Sequence, residues 1–300
     1  MGSRTGRRWR SWVRAGLDFG TALGLLAACA SAIPASGLDI VITGLPSGAA
    51  AHVEVSFGSE VLVTATGSGF VELPPGVYAV AAARTEDLSH WPDDVGTVLV
   101  LTGKRTPVTV VYRPIRVATF VPHVVGDDAL RPAIDALGAE HVRLETVDDL
   151  VDALATAAAD AFLVSIHDGS MDDALAAAID DAVVAGARIA FFYWQDHPVW
   201  SAVGVNQLVP FAPTALRFAP AGGFGDDLPG DVAVANPGYG AYALALGGSG
   251  SVWCQSEALA ACGLRLSGAR AIPVGFVSDA FTDPDAGQRV FRNLTRALLD

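Results

Sequence analysis

Gly186-Ala187-Arg188-Ile189-Ala190-Phe191-Phe192-Tyr193-Trp194-Gln195-Asp196-His197 is the stretch on which the larger half of the chain turns. Ile189 to Trp194 is an unbroken apolar and aromatic run, closed by Gly186 on one side and Pro198 on the other. A run that short suits a strand buried on both faces, because a helix of equal apolarity would be longer. Charge returns only at Asp196 and His197. An apolar strand with a polar carboxyl end is what an open parallel sheet presents at a ligand crevice.

The neighbouring segments repeat the theme. Val117 to Val121, Val142 to Leu144 and Phe162 to Ile166 read as strands, and a helical segment follows each. Asp127 or Asp128 opens the first helix, whose apolar face is Leu130, Ala133, Ile134 and Leu137. Thr146 with Asp149 forms a capping box for the second, and Ser170 is the expected cap of the third. This β-α-β-α-β-α-β order predicts parallel strands joined by right-handed crossovers. Val203 to Gly250 is dominated by Gly, Pro and Ala, with short strands expected at Val232 to Ala235 and Tyr242 to Leu246. Ala271 to Val277 is the last strand. Asp283 caps a final helix with Pro284 in its first turn and Val290, Phe291, Leu294 and Leu298 as its buried stripe.

Residues 38–113 obey a different period. Seven short alternating strands are predicted, separated by Gly-Pro-Ser turns, which is the pattern of a β-sandwich. The expected fold class is therefore α+β and multidomain: an all-β sandwich over 38–113, then a three-layer α/β/α domain with a mainly parallel sheet over 116–300.

The first 36 residues have the outline of an export signal. Arg4, Arg7, Arg8, Arg10 and Arg14 make a basic start, and Phe19 to Ala28 is an apolar run too short to span a bilayer. Leu26-Ala27-Ala28-Cys29 then resembles the lipobox of bacterial lipoproteins, which implies lipidation at Cys29 and a membrane partner through that lipid. Ala30-Ser31-Ala32 offers a competing site for ordinary signal peptidase. Residues 33–37 read as a flexible tether.

Composition bounds the partners. With 51% hydrophobic and 17% charged residues, the chain has ample apolar material for cores. Its formal net charge is −13. Such a surface repels phosphate backbones, so nucleic acid is not an expected partner. The export signal makes envelope proteins or polysaccharide the expected class.

Two resemblances refine the expectations. Leu73-Pro74-Pro75-Gly76-Val77-Tyr78-Ala79-Val80 resembles the L-x-P-G-x-Y-x-V signature of PEGA-like and carboxypeptidase-regulatory-like sandwiches, in which the Tyr packs at a sheet corner. Such modules imply a spacer or adhesive role. The strand order after residue 116, with Val274-Gly275-Phe276-Val277-Ser278-Asp279 and the helix that follows, resembles the class I glutamine amidotransferase-like superfamily and its ThuA-like branch, a flavodoxin-like sandwich. That superfamily's nucleophile elbow, of G-x-C-x-G type, has no counterpart here: Cys254 and Cys262 lack its flanking glycines.

Histidines fall just past three predicted strands: His123, His167 and His197, with Asp168 and Asp196 beside the last two. A flavodoxin-like order places those strands side by side. The resulting edge is the candidate site, able to bind a divalent metal such as zinc or to supply a general base. Asp279 and Asp283 are candidates to join it. The competing reading is ordinary loop polarity, with Asp168 as a helix cap. Cys254 and Cys262 are expected to pair as a disulfide in an oxidising compartment, provided the segment between them turns back. Trp194, Trp200 and Trp253 are candidates for an aromatic wall, or for core. Two functions follow as expectations: a non-catalytic binding or scaffolding lipoprotein of the envelope, and a metal-dependent hydrolase using the His/Asp edge.

Overall fold

The structure, a computed structural model, describes residues 35–167, 171–193, 195–235, 241–246, 249–266 and 270–300. The expected export signal and Cys29, along with Asp168, Ser170 and Trp194, lie outside the described residues.

The N-terminal part has eight strands: β1 (Gly37–Thr43), β2 (His52–Phe57), β3 (Glu60–Ala65), β4 (Gly69–Glu72), β5 (Gly76–Ala83), β6 (His90–Pro92), β7 (Gly96–Val100) and β8 (Arg105–Pro114). They form two four-stranded sheets, ordered β4-β1-β8-β6 and β3-β2-β5-β7. Side chains alternate across a strand, so every second residue of each sheet faces one shared core. Leu38, Ile40, Val108 and Val110 enter it from the first sheet, and Val53, Val55, Val80 and Val100 from the second. Tyr112 of β8 ties the sheets together: its hydroxyl accepts from His52 N at 3.2 Å and donates to Ala83 O at 3.2 Å. Tyr78 donates its hydroxyl to Pro74 O, four residues upstream, at 2.8 Å. Gly44 is required where β1 ends. Its φ is +84°, and a Cβ there would lie 1.8 Å from Tyr112 O.

Ser36 and Gly37, expected in the tether of residues 33–37, belong to this module. Ser36 O accepts from Leu73 N at 2.9 Å and Ser36 Oγ from Gly103 N at 2.8 Å, so the ordered module begins before Gly37. The strand β6 adds one to the seven expected; Trp91 and Pro92 give a three-residue pairing no periodicity to read.

The rest of the chain holds β9 (Arg116–Phe120), α1 (Leu130–Asp135), β10 (Glu140–Leu144), α2 (Val147–Ala155), β11 (Ala161–Ile166), α3 (Asp173–Val184) and β12 (Ile189–Tyr193). After these come β13 (Val205–Phe211), β14 (Ala215–Phe218), β15 (Val232–Ala233), β16 (Ala241–Leu246), β17 (Gly250–Ser256), β18 (Ala261–Leu266), β19 (Ala271–Val274) and α4 (Pro284–Leu299). A nine-stranded sheet runs β10-β9-β11-β12-β19-β18-β17-β14-β15. Its first five strands are parallel and, by order of appearance, follow the doubly wound 2-1-3-4-5 pattern.

The expectation of a mainly parallel sheet needs correction. From β19 to β15 every pairing is antiparallel, so the sheet is evenly mixed. The cause lies in the connections. Parallel neighbours need a crossover of a dozen or more residues, whereas β17 and β18 are joined by the short turn 257–260. The strands β13 and β16 pair separately.

The strand within Gly186 to His197 behaves as expected: every residue of β12 is buried. Alternate residues feed two cores. Ala190 and Phe192 join the core that contains α1 and α4, while Ile189, Phe191 and Tyr193 join the core that contains α2 and α3. Two of the expected caps hold and two change: the N-cap position of α1 is Ala129, while Asp128 Oδ1, one residue earlier, accepts from Leu130 N at 2.9 Å. Thr146 and Asp149 form the capping box, and Asp283 caps α4. Asp172, not Ser170, caps α3, its carboxylate accepting from Leu175 N at 2.8 Å.

Candidate functional site

The loops at the carboxyl ends of the parallel strands divide the candidate residues rather than gathering them. His167 leaves the end of β11 and meets Asp279, beyond the end of β19, with Nε2 and Oδ1 2.8 Å apart. The other carboxylate oxygen accepts from Val125 N at 2.6 Å and Gly126 N at 2.8 Å, in the loop after β9. Three loops are therefore fastened at one carboxylate. Beneath them Ser278 N donates to Ser165 Oγ at 3.2 Å. The His167 and Asp279 side chains are 1% and 0% exposed.

This network occupies a telling place. In the doubly wound order the chain reverses direction between β9 and β11, and a ligand crevice opens there. Here the loop after β9 is closed onto Asp279. A carboxylate receiving several N–H groups is well satisfied in a buried setting, which explains how such a polar cluster survives inside the fold.

Asp196 and His197 belong to a different feature. They line a cleft of about 750 Å³ together with Pro198, Trp200, Ser201, Val205, Asn206 and Leu208. His197 opens a single 3-10 turn at Pro198–Ser201, its Nδ1 accepting from Val199 N at 3.1 Å. That bond fixes the ring tautomer, leaving the proton on Nε2. Burial, and then the nearby Asp196 charge, hold the Tyr242 hydroxyl above its ordinary pKa. Asn206 is not legible as a site residue, because it falls in the Gly-, Pro- and Ala-rich region where no strand is expected around it.

The remaining candidates separate further. His123 is exposed. Asp283 is a helix cap, accepting from Asp285 N at 3.0 Å, and does not join the edge. Among the described residues no group of three or more His, Cys, Asp or Glu is placed to hold a metal ion. Among the described residues, His167 and Asp279 form one buried polar pair, while Asp196 and His197 line a cleft. Trp200 and Trp253 are core residues: Trp200 packs edge-on to Phe191 at 5.1 Å, and Trp253 stacks on Phe224 at 4.8 Å.

The expected disulfide is also corrected. Cys254 and Cys262 lie on the paired strands β17 and β18, so the segment does turn back, yet both are free thiols. Each is fully buried. Burial first, then the neighbouring Cys262, drive the Cys254 thiol well above its ordinary pKa. That is the reverse of what a nucleophile or redox-active cysteine requires. Native protein is therefore expected to resist a small alkylating reagent at both positions. Unfolding without reductant should expose both to modification, as counted by mass spectrometry. Rapid labelling of the native fold, or no labelling after unfolding, would contradict this arrangement.

No family model matches the chain, and no curated protein matches it. Solved structures match it only in part. A Thermoplasma acidophilum protein assigned as part of a GMP synthase superposes with a TM-score of 0.46 at 12% identity, covering 61% of this chain and 94% of its own. A glutamine amidotransferase from Thermotoga maritima gives a TM-score of 0.41 at 10% identity, covering 62% of this chain and 96% of its own. The Bacillus anthracis TIE protein gives 0.23 at 21% identity; the match spans 29% of this chain and 19% of that protein. Scores of this size carry no assignment. The assignment of the α/β part rests on the strand order and caps described above.

Proposed function

We propose that this chain is an exported, lipid-anchored protein of the cell envelope that binds or scaffolds without catalysis. In this reading the two N-terminal sheets are a β-sandwich spacer. They present a three-layer α/β/α domain of amidotransferase-like fold whose chemistry has been given up. The observation that supports it most is the lock at the sheet edge. The crevice where such folds usually work is filled by His167, Asp279 and the loop after β9. The described cysteines add to this. Both are buried, and the raised pKa of Cys254 opposes the thiolate that acyl transfer from glutamine needs. The open cleft at Asp196 and His197 is the proposed binding surface, and its partners are envelope proteins or polysaccharide.

The anchor is tested by fatty-acid labelling in cells. Wild type should take the label and Cys29→Ala should not; equal labelling removes the lipid from this proposal. A second reading, a metal-dependent hydrolase, draws on the His167–Asp279 pair, because a carboxylate behind an imidazole is how histidine ligands are commonly oriented. Metal content of purified protein separates the two. A stoichiometric divalent metal, lost in His167→Ala or His197→Ala, favours the hydrolase.

A further inference from the structure

The helix α4 presents Arg289, Arg292 and Arg296 at positions i, i+3 and i+7, so the three lie along one face. They line a cleft of about 310 Å³ with Asp87, Gly138, Asp226, Asp227 and Asn293. This cleft sits where the loop before β6, the end of α1 and α4 converge, away from the sheet's carboxyl edge.

Its three arginines are balanced in number by three aspartates, but no ion pair joins them among the described residues. Arg289 and Arg292 are half-buried, and Arg289 Nε is buried with no hydrogen-bond partner. No arginine of the three makes an ion pair among the described residues, although elsewhere Arg84, Arg113 and Arg217 all do. The three aspartates are exposed. Asp87 is already engaged, its Oδ1 accepting from Ser89 N at 3.0 Å and Ser89 Oγ at 2.7 Å. The walls are fixed: Asn293 donates to Phe224 O at 3.2 Å and Asp226 O at 2.8 Å, and Gly138 N donates to Asp87 O at 3.0 Å. The buried Arg289 Nε–H is costly to leave without an acceptor, and an oxygen entering the cleft would supply one.

We propose that this cleft binds a tetrahedral oxyanion, a phosphate or sulfate group carried by a small molecule. Guanidinium forks pair best with oxyanions, in parallel N–H···O bonds. A carboxylate has two oxygens and satisfies one fork, whereas a tetrahedral oxyanion offers acceptors to several forks at once. The proposal stands independently of the function proposed for the Asp196–His197 cleft.

The test is thermal unfolding of the purified protein titrated with sodium phosphate, sulfate, acetate or chloride at one fixed ionic strength. Phosphate and sulfate should raise the transition temperature in a saturable way, and acetate and chloride should not. Arg292→Gln should weaken the apparent phosphate affinity about tenfold or more, the loss expected for one charge-assisted hydrogen bond. If that variant is misfolded by circular dichroism, Arg296→Gln, at an exposed position, takes its place. Equal shifts from acetate and phosphate would overturn the tetrahedral assignment. Equal shifts from chloride, or undiminished phosphate affinity in the folded variant, would overturn the site.

Discussion

Asp279→Ala is expected to lower the free energy of unfolding by about 3–5 kcal/mol, the usual loss when one member of a buried polar pair is removed. The reason is local. Oδ1 meets His167 Nε2, and Oδ2 accepts from Val125 N and Gly126 N. Deleting the carboxylate leaves two backbone N–H groups and one imidazole nitrogen without these acceptors, in a place water scarcely reaches. Asp279→Asn provides the control. Its amide oxygen can keep accepting from the loop after β9, while its NH₂ group faces the imidazole, so a smaller loss is expected. Urea unfolding of the three proteins measures this. The loop after β9 should also become more open, seen as faster amide hydrogen exchange at Val125 and Gly126 in Asp279→Ala. If alanine costs less than about 1 kcal/mol, within the ordinary range for a single hydrogen bond, the three loops are not held by this carboxylate.

How much of this was legible follows from the range of each interaction. The strand Ile189–Tyr193 was readable because its burial on both faces is written into consecutive residues. The capping box at Thr146 and Asp149 was readable because its partners are three residues apart. The His167–Asp279 bond joins residues 112 apart, and the strand order β11-β12-β19 decides it. Sequence placed Asp279 near the right edge but could not choose its partner. His197 looked like a member of the same edge, yet Pro198 starts a 3-10 turn and the ring caps it. The antiparallel strands β17 and β18 left no readable trace. The turn between them, residues 257–260, has no Gly, Pro or Asn to announce it. The turn-back that a Cys254–Cys262 bond would need is present, since the two sit on neighbouring strands, but both are buried free thiols.

The core itself yields the other large effect. Phe276, just past β19, is 2% exposed and stands at the centre of an aromatic cluster. Its ring lies 6.3 Å from Phe192, 6.2 Å from Phe218, 6.1 Å from Trp253, 5.5 Å from Phe281 and 6.4 Å from Phe291. These five come from β12, β14, β17, the loop before α4, and α4, so one side chain joins the parallel and antiparallel halves of the sheet to the helix above. The backbone around it cannot close in. A Cβ on the preceding Gly275 would lie 2.1 Å from Tyr242 O, so that strand already packs as tightly as a glycine allows. Truncation therefore leaves a cavity instead of collapse, and Phe276→Ala is expected to cost about 3–5 kcal/mol. Phe276→Leu keeps most of the volume but loses the ring-edge contacts, and should cost less. Equilibrium unfolding in urea should show the midpoint falling in the order wild type, leucine, alanine, with the slope unchanged. A midpoint for the alanine variant close to wild type would mean that the two halves of the sheet do not share this core.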